Sequence, residues 1–167
     1  LPEGIKLGEG SNMEMMYEEF AAIGRALVIA IYLVFAVMAI QFESLRFSLV
    51  VLMSVPFALT GSFFALLLTG SSINMASLLG VVMLVGIVVN NAIVLIDYAN
   101  ILRRDEGMEI RDALVMAGKS RLRPILMSTL TTVVGLVPMA FGSGVEMMES
   151  MAVVVIGGLL FSTLLTL

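Results

Sequence analysis

The 167-residue sequence contains no cysteine and no histidine. Without cysteine there is no disulfide framework and no thiolate metal site. Without histidine the commonest general base and the commonest metal ligand are missing. Charge is scarce as well: 13% of residues are Asp, Glu, Lys or Arg, against about 25% in an average soluble domain. The net charge of −4 gives no basic signature for nucleic acid. These shortages exclude a soluble enzyme and a nucleic-acid binder, and they leave no cofactor expected. The opening "LPEGIKLGEG" lacks the basic start and apolar run of a signal peptide. There is no initiator Met, and the last residues "STLLTL" fall inside an apolar run. A piece of a larger protein is the expectation.

What is present is apolar: 60% of residues are hydrophobic and mean hydropathy is +1.09. The charges cluster, so that residues 26–42, 47–96, 124–145 and 150–167 carry none. About 20 apolar residues cross a bilayer. The 50-residue uncharged stretch would be about 75 Å long as one helix, so it must fold back. Thr69-Gly70-Ser71-Ser72 supplies the turn. Five spans follow, at about 21–41, 46–69, 73–99, 122–142 and 148–167. Helices are expected, because these runs lack the alternation of barrel strands. The predicted fold is an all-α membrane protein, a five-helix transmembrane bundle.

Orientation follows from Lys and Arg. Arg46, Arg103, Arg104, Arg111, Lys119, Arg121 and Arg123 fall on one side, and only Lys6 and Arg25 on the other. The richer side is cytoplasmic. That makes 100–121 an inner loop and puts the Gly70 turn and the "GSGVEMMES" loop outside. Within the inner loop, Ile110, Leu114 and Ala117 share a helical face, which predicts a short amphipathic helix lying on the inner surface over 108–118. Pro124 then suits the first turn of the fourth span. Pro56 and Pro138 should kink spans two and four. The pairs Ala76/Gly80 and Ser128/Thr132 have the four-residue spacing of close helix contacts.

The segment "GIVVNNAIVLIDYAN" (86–100), then a basic loop, then "KSRLRPILMSTLTTVVGLVPMAFGSG" (119–144) strongly resembles the resistance–nodulation–division (RND) efflux transporters. "AIQFESLRF" (39–47) matches their inner turn between two spans, and "LPEGIKLGEGSNMEMMYEEF" (1–20) looks like the junction after their second outer porter domain. The resemblance covers essentially the whole chain. It implies the eighth to twelfth of twelve membrane helices of a proton-driven permease for amphiphilic or hydrophobic compounds, in a bacterial inner or cytoplasmic membrane. It implies transport rather than catalysis. The implied partners are a missing N-terminal half that carries an Asp pair, two further copies in a homotrimer, a periplasmic adaptor and an outer-membrane channel. Alternatives are a metal-ion or lipid exporter of the same fold, or a non-transporting assembly or sensor module.

Polar residues inside the spans are the candidate site. Asn90 sits about 6 Å inward of the midpoint of span three, and Ser128 and Thr129 lie at a similar depth in span four. A buried amide in hydrocarbon is costly unless paired. Asn90 is therefore expected to face span four, near Ser128 or Thr132. The resemblance places Asn90 where drug pumps carry a Lys opposite the Asp pair, and it ties Arg121 and Ser128 to the proton relay. Asn91, Thr129, Thr132 and Asp97 are read as intramembrane polar support. Asp97 follows Asn90 by seven residues, at the inner interface beside Tyr98, where Arg103, Arg104 or Arg121 could pair with it. Met13, Met15, Met16, Met147, Met148 and Met151 lie outside, and thioethers suit Cu(I) or Ag(I). Flexible apolar filling explains them more simply, and no metal site is assigned.

The orientation is testable because the chain is free of cysteine. In spheroplasts, a single cysteine replacing Ser71 should react with an impermeant maleimide from outside. One replacing Glu106 should react only after permeabilisation. The opposite pattern would invert the topology.

Overall fold

A computed structural model describes residues 9–142 and 146–166. It contains six helices: α1 (Glu9–Phe42), α2 (Leu45–Leu52), α3 (Ser54–Thr69), α4 (Met75–Asp105), α5 (Ile110–Phe141) and α6 (Glu146–Thr166). Five segments are long and apolar enough to cross a membrane, with α2 and α3 together forming the second, Leu45–Thr69. Among the described residues there is no strand. Part of the 1–20 junction and part of the "GSGVEMMES" loop lie outside the described residues. From Glu9 onward the junction segment is already helix.

The helices outrun the apolar stretches. At 1.5 Å per residue, the 34 residues of α1 reach about 51 Å and the 32 of α5 about 48 Å, against a hydrocarbon core of about 30 Å. With the cytoplasmic assignment above, α1 overhangs on the outer side and α5 on the inner. The inner loop shrinks accordingly to the few residues between Asp105 and Ile110. The segment 108–118 is helical from Ile110, as its period predicts, but it is not a separate surface helix. It runs without interruption into the fourth span, and Pro124 lies in the middle of α5 rather than in a first turn. The reason lies in the packing. Ala113 and Ala117 are fully buried against Ala99 and Leu102 of α4, while Ile110 and Leu114 stay exposed. Two alanines let α5 approach α4 closely, and that contact holds its first turns in line with the rest.

Pro56 acts as expected. It has no N–H to give Leu52, and its ring crowds that carbonyl. The helix breaks at Met53, between α2 and α3. Pro138 differs: it sits in the last turn of α5, and that helix continues to Phe141. The Gly70 turn is present, with Gly70 capping α3 in the left-handed conformation at φ 68°. Asn74 then caps α4. Its side chain accepts from Ser77 N (2.8 Å), and its own N–H donates to Ser77 Oγ (3.0 Å).

α6 is the hub, packing against α3, α4 and α5. Lipid offers little hydrophobic drive for helix association, so close van der Waals fit decides it. Glycines make the fit. A methyl on Gly157 would overlap Ala65 and come within 3.1 Å of Gly61 O. One on Gly61 would strike Phe161, and one on Gly158 would strike Leu84 and Ser62. Of the Ala76/Gly80 row, Gly80 lies against Met151 of α6. Side-chain hydrogen bonds add to each contact. Ser62 donates to Val154 O of α6 (3.0 Å), Asn74 Nδ2 to Ser150 Oγ (3.1 Å), and Thr129 and Thr163 share a bond of 3.2 Å. Among the described residues, α1 packs only on α2 and α4.

Gly157→Leu should therefore lower the melting midpoint of the membrane-embedded protein, by the equivalent of about 1–3 kcal/mol for overpacking. Gly118→Ala meets nothing within 4 Å and should be neutral or stabilising, by up to about 1 kcal/mol from helix propensity. Equal melting of the two variants would refute the close crossing.

Candidate functional site

The polar residues of the spans divide into two populations. One is bonded inside the bundle. Thr129 is 3% exposed and held by Thr163. The other points away from it, and Asn90 belongs there. Asn90 is exposed on an α4 stripe that includes Leu79, Met83, Gly86, Val94 and Ile101. It lines a groove of about 260 Å³ against Leu33, Val34, Val37 and Met38 of α1. It makes no side-chain hydrogen bond to any described residue.

The expected contact of Asn90 with Ser128 or Thr132 is thus not made. Ser128 is exposed on α5 and donates to Ile125 O (2.9 Å), and Thr132 donates to Ser128 O (2.9 Å). The Ser128/Thr132 row bonds within its own helix. The physical reason is rotation. One residue turns a helix by about 100°, so Thr129 takes the face toward α6 and Ser128 is carried off it. Depth along a helix is a matter of counting, whereas the face depends on which neighbours pack.

Ser128 also belongs to a regular feature. Pro124, Ser128, Thr131, Gly135, Pro138 and Gly142 are all exposed and recur at alternating spacings of four and three. That is the 3.5-residue repeat of a straight helix–helix seam, filled with small residues that allow close approach. Gly135 and, on the α4 stripe, Gly86 have nothing within 4 Å of a built methyl.

At the inner end, the Arg121 guanidinium lies 4.9 Å from the centroid of the Tyr98 ring. It joins α5 to α4 there rather than reaching toward Asn90. Asp97 is half-buried and lines a cavity with Glu43, Arg103 and Arg104. It forms no ion pair with any described residue. Asn91 is half-buried beside Ala92. No group of three metal-capable His, Cys, Asp or Glu side chains occurs among the described residues. Among the described residues, α1 and α6, which carry the outer methionines, make no contact. Ser62, Asn74, Ser150 and Thr163 were not anticipated from the sequence, although they carry the contacts between helices.

Comparison with known proteins bears on the fold and the family. The model of the AcrB/AcrD/AcrF family matches residues 1–167. The swarming motility protein SwrC of Bacillus subtilis (strain 168) is 39% identical over 169 residues, covering 99% of this chain and 16% of that protein. The crystal structure of a heavy metal efflux pump superimposes with a TM-score of 0.79 at 32% identity, covering 92% of this chain and 15% of that one. The chain thus spans about a sixth of the length of the relatives it matches.

A double-mutant cycle of Arg121→Gln and Tyr98→Leu should show a coupling of about 0.5–1 kcal/mol in thermal stability, as for a partly exposed cation–π pair. Strict additivity would mean that the ring and the guanidinium do not interact.

Proposed function

The chain belongs to the AcrB/AcrD/AcrF family of RND efflux transporters, and on that footing we propose that it is the C-terminal membrane half of a proton-driven efflux permease for amphiphilic or hydrophobic compounds. One observation carries the reading: Asn90 is exposed at the middle of α4, with no side-chain hydrogen bond to any described residue. An unpaired amide against hydrocarbon is costly, so this face suits a second polar bundle rather than lipid. The small-residue seam of α5 has the same requirement. A second half bearing an Asp pair meets both. Asn90 then offers the pair an amide N–H in place of the ammonium of a Lys. Ser128 stands exposed on α5 at similar depth, and Arg121 supplies a cation near the inner surface. A homotrimer in the bacterial inner or cytoplasmic membrane, with a periplasmic adaptor and an outer-membrane channel, completes the proposed assembly.

A second reading has one observation in its favour. The structural neighbour at TM-score 0.79 is described as a heavy metal efflux pump. Metal export would draw on soft donors such as Met13, Met15 and Met16, which are exposed on the outer part of α1. The separation of α1 from α6 works against one site built from both methionine groups.

The test uses the full-length transporter in proteoliposomes with an imposed pH gradient. Wild type should extrude an amphiphilic dye, and Cu(I) or Ag(I) should not substitute for it. In Asn90→Lys a fixed cation favours the ionised Asp pair, so proton loading needs a more acidic medium and the pH–rate profile should move toward acid. Asn90→Leu should lower the rate through loss of the amide bond. Superimposable profiles for all three proteins would show that Asn90 has no part in coupling.

A further inference from the structure

A second polar cavity lies away from Asn90. It lies at the inner corner where α1 turns into α2 and α4 ends, and it measures about 700 Å³. Glu43 and Asp97 face it with Arg103 and Arg104, so its charges sum to zero, and the amides of Gln41 and Asn100 add neutral polar groups. Phe42, Phe47 and Ile101 give it apolar walls.

Two further observations mark this corner. Glu43 has φ 47°, and it is the only described non-glycine residue with positive φ. That conformation disfavours a side chain and is ordinarily left to Gly or Asn. Backbone strain of this kind tends to gather at binding sites. The second observation is an adjacent groove of about 580 Å³ lined only by apolar side chains, among them Ile31, Leu49, Val50, Met53 and Leu59. Phe47 of the charged cavity and Val50 of the groove are three residues apart on α2, one turn along the same side of the helix. The charged cavity thus sits at the membrane surface, and the apolar groove begins one turn deeper.

We propose that this corner binds a zwitterionic phospholipid of the cytoplasmic leaflet, phosphatidylethanolamine in kind. Arg103 and Arg104 take the phosphate, Glu43 and Asp97 take the ammonium, and an acyl chain lies in the groove of α1 and α2. Pockets between membrane helices on the cytoplasmic side are suited to lipid headgroups. A purely basic pocket selects anionic headgroups, and the two carboxylates here shift the match to a headgroup without net charge. The site lies about two turns inward of Asn90 along the same side of α4, where Asp97 and Ile101 line it, and it does not depend on which compound is exported.

The test is native mass spectrometry of the purified full-length transporter, titrated with phosphatidylethanolamine and phosphatidylglycerol of matched chains. Wild type should retain the zwitterionic lipid about fivefold over the anionic one, the ratio expected for one favourable charge at the surface. Combined Glu43→Gln and Asp97→Asn leaves the pocket cationic and should invert that preference. Combined Arg103→Ala and Arg104→Ala should lower retention of both lipids. The inversion separates loss of binding from loss of folding, because a damaged protein loses both lipids without exchanging their order. Equal retention by wild type, an anionic preference in wild type, or an unchanged ratio in the Glu43/Asp97 variant would overturn the proposal.

Discussion

The crossing of α6 over α3 at Gly61 and Gly157 is the contact on which the rest of this bundle depends. With Gly157 facing Ala65 and Gly61 O, the two backbones approach too closely for a side chain between them. That nearness brings Ser62 to Val154 O and seats Gly158 against Leu84 of α4. It also fixes the rotation of α6, so that Ser150 meets Asn74 at the outer end and Thr163 meets Thr129 toward the inner end. Each such bond is worth only about 0.6 kcal/mol on average in a membrane. Their role is therefore chiefly to set register, while the glycine contacts supply the packing that holds α3, α4 and α5 around one helix.

Much of this fold was legible in the sequence, and the errors have one origin. The five spans, the Gly70 turn and the break before Pro56 were marked by apolar length and by backbone chemistry, which are local. Helix ends were not, because charges mark where hydrocarbon stops and not where a helix stops. Glu14, Glu18 and Arg25 all lie within α1, and Arg111, Lys119 and Arg121 all lie within α5. The surface helix expected over 108–118 merged with span four for the same reason, once Ala113 and Ala117 packed on α4.

The polar residues of the candidate site were legible in the sequence, and the faces they take were not. Asn90, Ser128 and Thr129 stood out because polar side chains are rare in spans. Which of them would turn inward depended on α6, about which single residues say nothing. Hydroxyls were the least informative. Thr60, Thr131, Thr132 and Thr166 each bond a carbonyl of their own helix, and Ser54 bonds Val51 O across the break between α2 and α3, whereas Ser62 and Thr129 reach across to α6. A serine or threonine can always satisfy itself on the preceding turn, so its presence does not announce a contact between helices. An Asn has no such easy outlet, and that is why Asn90 is the more telling residue.

The two populations of polar groups also separate two tasks. The bonds that organise the bundle all converge on α6, and none involves Asn90 or Ser128 with another helix. Asn90 points into the α1 groove, and Ser128 belongs to the small-residue seam of α5. Neither is needed to hold α3, α4, α5 and α6 together. A polar group that the fold does not use for its own cohesion can exchange partners without loosening the bundle. Residues such as Thr129 lack that freedom, because moving them would break the contact that sets the register of α5 on α6. On the proposed function, in which polar groups meet a second bundle, the useful positions are those left outside the α6 hub. Asn90 and the α5 seam occupy that place.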